Sequence, residues 1–400
     1  MKMNLSEEMM MLGKKSSVIR EIFEYSKKRK AEIGADKVFD FSIGNPSVPA
    51  PEEIGETIAK LAREMDPVLL HGYTAAVGDP GARAKIAEGI HRDFHTPNRP
   101  DLVYMTCGAA ASLTISLNAI LQPGEEVLVP TPYFPEYKVF TEHAGGVLAE
   151  IPCDKDFQLD LDAIEKAITA KTRAIIINSP NNPTGAIFRT EDLKKLSALL
   201  QQKEKKYDRT IYIIADEPYR KLVWNGEEVP FLPELYPDTL VCYSYSKALS
   251  LPGERIGYIF VSPYMEACGD VFAAVCGAGR ALGFVCAPSI MQFMIAECAD
   301  CTADFRIYRK NRERLMEMLT EIGYEVIPPD GAFYLFVKAL EPDAHAFYEK
   351  GKKHELLLVP SDSFGCTGYV RIAYCVTPEQ IEAAKPAFEA LYRDYQEGND

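Results

Sequence analysis

Lys247 stands where a lysine can do covalent chemistry. The strand-like run Thr239 to Tyr245 delivers it into a small polar loop punctuated by Pro252 and Gly253, and Arg255 follows eight positions on. A lysine at a strand end can lose water, shift its pKa downward and form a Schiff base with a carbonyl compound. Ser244 adds a hydroxyl and Arg255 a fixed fork of donors, a pair suited to holding a phosphate. The plainer alternative is a solvated turn lysine, and this stretch alone leaves both readings open.

Two earlier runs end in the same manner. Ala174 to Asn178 leads into Ser179-Pro180-Asn181-Asn182-Pro183-Thr184-Gly185, and Ile211 to Ala215 leads into Asp216-Glu217-Pro218-Tyr219. Each run is short and apolar, as expected of a strand buried on both faces of a parallel sheet. In open α/β sheets ligands bind beyond the carboxyl ends of the strands. Three strand ends therefore offer Asn182, then Asp216 with Tyr219, then Lys247.

These motifs, in this order, resemble those of the fold-type-I pyridoxal-phosphate enzymes, and within them the class I/II aminotransferases similar to aspartate aminotransferase. The resemblance spans nearly the whole chain. It implies pyridoxal 5'-phosphate as cofactor, with Lys247 forming the Schiff base and then moving the substrate's α-proton. It implies that Asp216 pairs with the pyridine nitrogen, making the ring an electron sink, and that Tyr219 and Asn182 hydrogen-bond the phenolic oxygen. The phosphate would be held by Ser244, Arg255 and the turn at Gly108, Ala109 and Ala110. There the family often has a hydroxyl or basic side chain, and this chain offers only the backbone donors at a helix start. Phe134 matches the aromatic that stacks on the cofactor ring, with Tyr133 as the other choice. Tyr73 corresponds to a tyrosine supplied across a dimer interface, which makes a homodimer with shared active sites the expected assembly.

Substrate contacts follow from the same resemblance. Gly44 lies in the segment that lines the substrate pocket. Arg371 sits among apolar residues in the strand-like run Tyr369 to Ala373, and a buried Arg is costly unless an anion meets it. The family position takes the substrate's α-carboxylate. Arg280, 33 residues after Lys247, is close to where dicarboxylate-specific relatives carry an Arg for the side-chain carboxylate. The expected reaction moves an amino group between an L-amino acid and a 2-oxo acid, with aspartate or glutamate and 2-oxoglutarate as the suggested pair. An aromatic amino acid aminotransferase is an alternative, as is a β-elimination C-S lyase on the same fold. The lyases tend to carry Asp-Glu-Ile-His where this chain has Asp216-Glu217-Pro218-Tyr219. A cofactor-fold domain serving a transcription regulator would need an attached DNA-binding segment, for which the chain leaves no room before the catalytic domain.

The elements that must position these residues alternate. Strand-like runs occur at Leu102–Thr106, Glu126–Pro130, Val147–Ile151, Ala174–Asn178, Ile211–Ala215, Thr239–Tyr243 and Tyr258–Val261, with helical stretches such as Leu161–Ile168 and Glu191–Gln202 between them. The expected fold is α/β: a large domain with a mostly parallel seven-stranded sheet, over 51–287, and a smaller α/β domain. The smaller domain comprises 288–400, joined by an amino-terminal arm and segment at 1–50. A long helical stretch, Ser289 to Ile322, opens it, followed by strands at Ala332–Val337, Leu356–Val359 and Tyr369–Tyr374. Thr131-Pro132 and Asn182-Pro183 are candidates for cis peptide bonds.

Composition bounds the rest. The 400 residues carry 44 basic against 58 acidic side chains, a formal −14, which argues against nucleic-acid or membrane-surface partners. Ten Cys in a chain without a signal-like start suggest free thiols in a reducing cytoplasm. Cys298 and Cys301 alone have metal-like spacing, no second Cys or His pair completes a site, and no metal is expected.

Overall fold

Each of the seven apolar runs forms a strand, and the strands join in one sheet. The computed structural model describes residues 5–14, 17–224 and 226–397. The strands are β1 (Val103–Thr106), β2 (Glu126–Thr131), β3 (Val147–Pro152), β4 (Thr172–Asn178), β5 (Tyr212–Asp216), β6 (Thr239–Ser244) and β7 (Gly257–Val261). Their order across the sheet is β1-β7-β6-β5-β4-β2-β3. Only β7 runs against its neighbours, and the other pairs are parallel. β6 and β7 are buried at every position, as strands covered on both faces must be. β3 is one of the two edge strands, and of its residues only Ile151 is buried.

The parallel register aligns the functional ends. Asn178 on β4 lies beside Asp216 on β5, and Asp216 lies beside Cys242 on β6. One helix, Ala109–Ile120, packs on the sheet and buries Leu113, Ile115 and Leu117. Its buried hydroxyls are satisfied: Ser112 shares a hydrogen bond with Thr106 (2.7 Å) and Ser116 with the Cys242 thiol (3.4 Å).

By its internal contacts the chain divides into two units. One comprises Pro46–Arg306 and Pro329–Ala332 and holds the seven-stranded sheet. The other comprises the described residues of Met1–Asn45, Ile307–Pro328 and Phe333–Asp400. In the second unit an antiparallel four-stranded sheet runs Val359–Pro360, Tyr369–Ala373, Tyr334–Lys338, Val326–Ile327, and a separate parallel pair joins Phe39–Asp40 to Leu356–Leu357.

Four sequence expectations change here. The single strand read at Leu356–Val359 breaks at Leu358, and its halves pair in different sheets. The helical stretch from Ser289 to Ile322 is two helices, Ser289–Cys298 and Arg306–Ile322. Between them Ala303 N–H donates to Ala248 O (2.9 Å), and Asp304 Oδ1 accepts from Arg306 N–H (3.0 Å) as a start signal for the second helix. The first of these helices buries Met291, Met294 and Ile295 and packs on the helices Pro80–Phe94 and Glu52–Glu64, so the two units part at Arg306 rather than Pro288. Finally, the cis peptides among the described residues are Thr131-Pro132 and Ser179-Pro180. The second falls three residues before the expected Asn182-Pro183. No helix among the described residues is long and apolar enough to cross a membrane.

Candidate active site

β6 ends at Ser244, and one helical turn, Tyr245–Ala248, carries Lys247, which is half-buried. Ser244 starts that turn: its hydroxyl accepts from Ser246 N–H (3.2 Å) and shares a hydrogen bond with the Ser246 hydroxyl (2.7 Å). The Ser-x-Ser-Lys spacing is thus a cap that fixes where the lysine leaves the sheet.

Arg255 returns toward the same edge with a left-handed φ of 51°, and its guanidinium donates to Pro252 O (3.0 Å). It lies against Gly108, which follows β1 with φ +90°. A Cβ on Gly108 would stand 2.9 Å from Arg255 Nη2. One on Gly257 would stand 2.3 Å from Tyr243 O and 3.0 Å from Gly108 Cα. Side chains at either position would fill the cradle. Gly108 opens the helix Ala109–Ile120 with no side-chain cap, so the first N–H groups of that helix, beginning at Ala109 and Ala110, are left for an anion beside the guanidinium.

Asp216 is the most constrained residue of the edge. It is buried, and Tyr137 Oη donates to its Oδ2 at 2.5 Å. Asn178 Nδ2 donates to the Asp216 carbonyl (2.8 Å), reaches Oδ2 at 3.4 Å, and through its own Oδ1 accepts from Asn182 N–H (2.7 Å). One side chain therefore ties β5 to the loop holding Asn182. Oδ1 of Asp216 is buried with no hydrogen-bond partner among the described residues. Burial pushes this carboxyl up to about 7; the Tyr137 hydrogen bond opposes the rise and the neighbouring Glu217 adds to it. A buried carboxylate oxygen in this state fits a cationic N–H donor.

Tyr219 follows in a turn pinned by the buried ion pair of Glu217 and Arg220. The Arg220 guanidinium lies 5.1–5.2 Å from the ring centroids of Phe94, Phe231 and Tyr243. Asn182 stands in a self-bonded turn in which Asn181 Oδ1 accepts from Thr184 N–H (3.1 Å) and its hydroxyl (2.9 Å). Both Asn182 and Tyr219 are buried. Of the two aromatics after β2, Tyr133 donates to Glu150 on the edge strand (2.7 Å). Phe134 packs edge-to-face on Tyr137 at 5.7 Å, the residue that touches Asp216.

Tyr73 and Arg280 belong to the sheet-bearing unit, and Arg371 and Gly44 to the other. Tyr73 is 99 % exposed, on a loop held by Gln292 Nε2 donating to Thr74 Oγ1 (3.0 Å) and Cys286 Sγ donating to Thr74 O (3.5 Å). Arg280 is exposed in the last turn of the helix Cys268–Ala281. In the other unit, Arg371 is buried: Nη2 donates to Ser42 O (2.5 Å), and the guanidinium lies 4.5 Å from the Tyr334 ring centroid. Gly44 belongs with it, since a Cβ there would stand 2.0 Å from Tyr334 Oη.

The sequence reading did not single out Tyr137, Asn178 or the Glu217–Arg220 pair. Tyr137 stands in the same run as Phe134, three positions on, and Asn178 is the polar end of an apolar strand. Those are the signals that could have found them.

Comparison with known proteins gives one consistent picture. The sequence profile of the family described as Aminotransferase class I and II matches residues 36–388. A probable aspartate/prephenate aminotransferase of Aquifex aeolicus is 31% identical over 369 residues, covering 86% of this chain and 88% of its own. The crystal structure of an amino transferase from Eubacterium rectale superposes with a TM-score of 0.96 at 53% identity, over 98% of this chain and 100% of that one. Thermus thermophilus aspartate aminotransferase with maleate superposes with a TM-score of 0.84 at 26% identity, over 98% and 100%.

Proposed function

This chain belongs to the class I and II aminotransferases, and we propose that it moves an amino group between aspartate or glutamate and a 2-oxo acid such as 2-oxoglutarate, using pyridoxal 5'-phosphate held at Lys247. That it is an amino-acid aminotransferase follows from its family. Several of its relatives are named for aspartate, and one structure was solved with maleate, a dicarboxylate, which supports the acidic substrate class.

The observation that carries the cofactor reading is the buried Asp216 Oδ1 at the strand edge that also presents Lys247. The edge fits a flat molecule with a protonated ring nitrogen at one end and a phosphate at the other. Asp216 would meet the nitrogen. Arg255, Ser244 and the first N–H groups after Gly108 would hold the phosphate, which is a charge-assisted contact. Tyr219 and Asn182 would donate to the phenolic oxygen, and Phe134 would cover one ring face. When bound, the cofactor supplies an electron sink for the substrate's α-carbon.

This chain's residues do the rest. Lys247 would hold the cofactor covalently through its ε-amino group and, once the substrate's amine has displaced that group, would serve as the base that takes and returns the α-proton. Arg371 takes the α-carboxylate with its planar fork; Gly44 leaves the backbone open there, and Arg280 takes the side-chain carboxylate. The exposed Tyr73, with Val68, Leu69 and Val285 also exposed, supports a homodimer in which Tyr73 reaches the partner's phosphate. Ten cysteines suit a reducing cytoplasm.

The test of the substrate class mixes cofactor-loaded protein with single amino acids and measures kcat/KM for aspartate, glutamate and tyrosine. In Arg280→Ala the acidic pair is expected to lose roughly 30- to 1,000-fold, as for one charge-assisted contact, and tyrosine little. Equal losses for all three, or no reaction of the wild type with acidic substrates, would contradict it.

A further inference from the structure

Tyr137 reaches Asp216 from an element that none of the cofactor-holding residues occupies. It stands on the helix Glu136–His143, it is fully buried, and its hydroxyl donates to Oδ2 at 2.5 Å. Its ring is held in place by Phe134 (5.7 Å, edge-to-face) and Tyr133 (6.3 Å, stacked). On the other side Asn178 anchors the Asp216 carbonyl and reaches the same Oδ2. Both contacts fall on one oxygen, so the carboxylate cannot rotate without breaking them, and Oδ1 is the oxygen that is left.

Building on the reading that Asp216 meets the ring nitrogen, we propose that Tyr137 is a positioning residue that turns Asp216 Oδ1 toward that nitrogen and keeps the shared proton on the nitrogen. The chemistry balances as one proton between two sites. It lies either on nitrogen, facing a carboxylate, or on Oδ1, facing a neutral ring. A donor on Oδ2 stabilises the carboxylate and so favours the first arrangement.

The charges around Asp216 make that donor necessary. Glu217, the next residue, is also buried and pushes the Asp216 proton affinity up, although Arg220 pairs with it. Cys242 and Tyr219 also face this cluster, and burial raises the Cys242 thiol so that it stays neutral. Burial and the adjacent carboxylate hold the Tyr137 phenol well above its ordinary value, so it remains a donor through the neutral range. Of the polar contacts to Oδ2, the phenol's is the short one.

The test uses pyridoxal phosphate labelled with 15N at the ring, bound to wild type, Tyr137→Phe, Tyr137→His and Asp216→Asn. The wild-type nitrogen is expected to give a protonated signal and Asp216→Asn an unprotonated one. Tyr137→Phe, which keeps the ring and loses only the hydroxyl, is expected to move toward the unprotonated signal. Its kcat is expected to fall roughly ten- to hundred-fold, as for one hydrogen bond to a charged group. Tyr137→His restores a donor and is expected to keep a signal closer to wild type than to Asp216→Asn, a comparison that stands even if the Phe variant does not fold. A wild-type signal in Tyr137→Phe, or an unprotonated one in Tyr137→His, overturns the role of Tyr137 alone. A wild-type signal in Asp216→Asn overturns the Asp216 reading and this inference with it.

Discussion

A carboxyl buried as deeply as Asp216 makes stability depend on pH, and the sign follows from the direction of its shift. Its folded value, about 7, exceeds the ordinary 3.8, so folding favours the protonated form. The stability this contributes is fully present below about pH 4 and is lost as pH rises toward 7. Cofactor-free wild type should therefore lose melting temperature relative to Asp216→Asn between pH 4 and 7. Loading the cofactor should flatten that loss, because a protonated ring nitrogen supplies the missing partner. Thermal melts of the two proteins across this range measure it, and a difference that does not change with pH would contradict it. The proposed set of Asn182, Asp216, Tyr219 and Lys247 could be picked out as candidates because the strand ends carry unusual polar sets. Tyr137 and Asn178 could not, since their contribution is a hydrogen bond made across the fold and a sequence holds no distance.

At the scale of elements, glycine is what lets two segments meet. Gly108 has φ +90° and faces Arg255, and Gly257 abuts both β6 and Gly108. Gly108→Ala would place a methyl group 2.9 Å from Arg255 Nη2 in a backbone conformation that disfavours any side chain. The guanidinium must move, and the affinity for pyridoxal phosphate should fall by roughly tenfold or more, as expected for a charge-assisted contact. Fluorescence titration of the cofactor-free protein checks this, and an unchanged dissociation constant would argue that Arg255 and Gly108 do not form the phosphate cradle. The seven strands could be read from sequence because burial on both faces leaves continuous apolar runs. Breaks between elements were harder. Leu358 interrupts an unbroken run of apolar residues, and residues 299–305 interrupt a helical pattern through contacts to Ala248 and an Asp304 cap. Neither break has a glycine or proline to mark it.

For the whole molecule, the proposed homodimer would cover exposed apolar side chains. Val68, Leu69 and Tyr73 are 80, 65 and 99 % exposed in adjoining segments, and isolated surface residues of this kind need a covering partner only when they cluster. Sedimentation should find at least a dimer, and Tyr73→Phe should weaken cofactor affinity without changing the assembly. A fully active monomer at assay concentration would refute the shared site. The division at Arg306 was not legible because the helix Ser289–Cys298 reads as continuous with Arg306–Ile322, and only its packing on Pro80–Phe94 assigns it to the sheet-bearing unit. The proposed chemistry centres on one group, the ε-amino group of Lys247. The direct measurement follows the absorbance of the bound cofactor after adding aspartate alone, with no oxo acid, in wild type and Lys247→Ala. Wild type should convert its cofactor to the amine form and release one equivalent of oxo acid per site, while Lys247→Ala should stay folded and convert orders of magnitude more slowly. Conversion at the wild-type rate in Lys247→Ala would contradict the account.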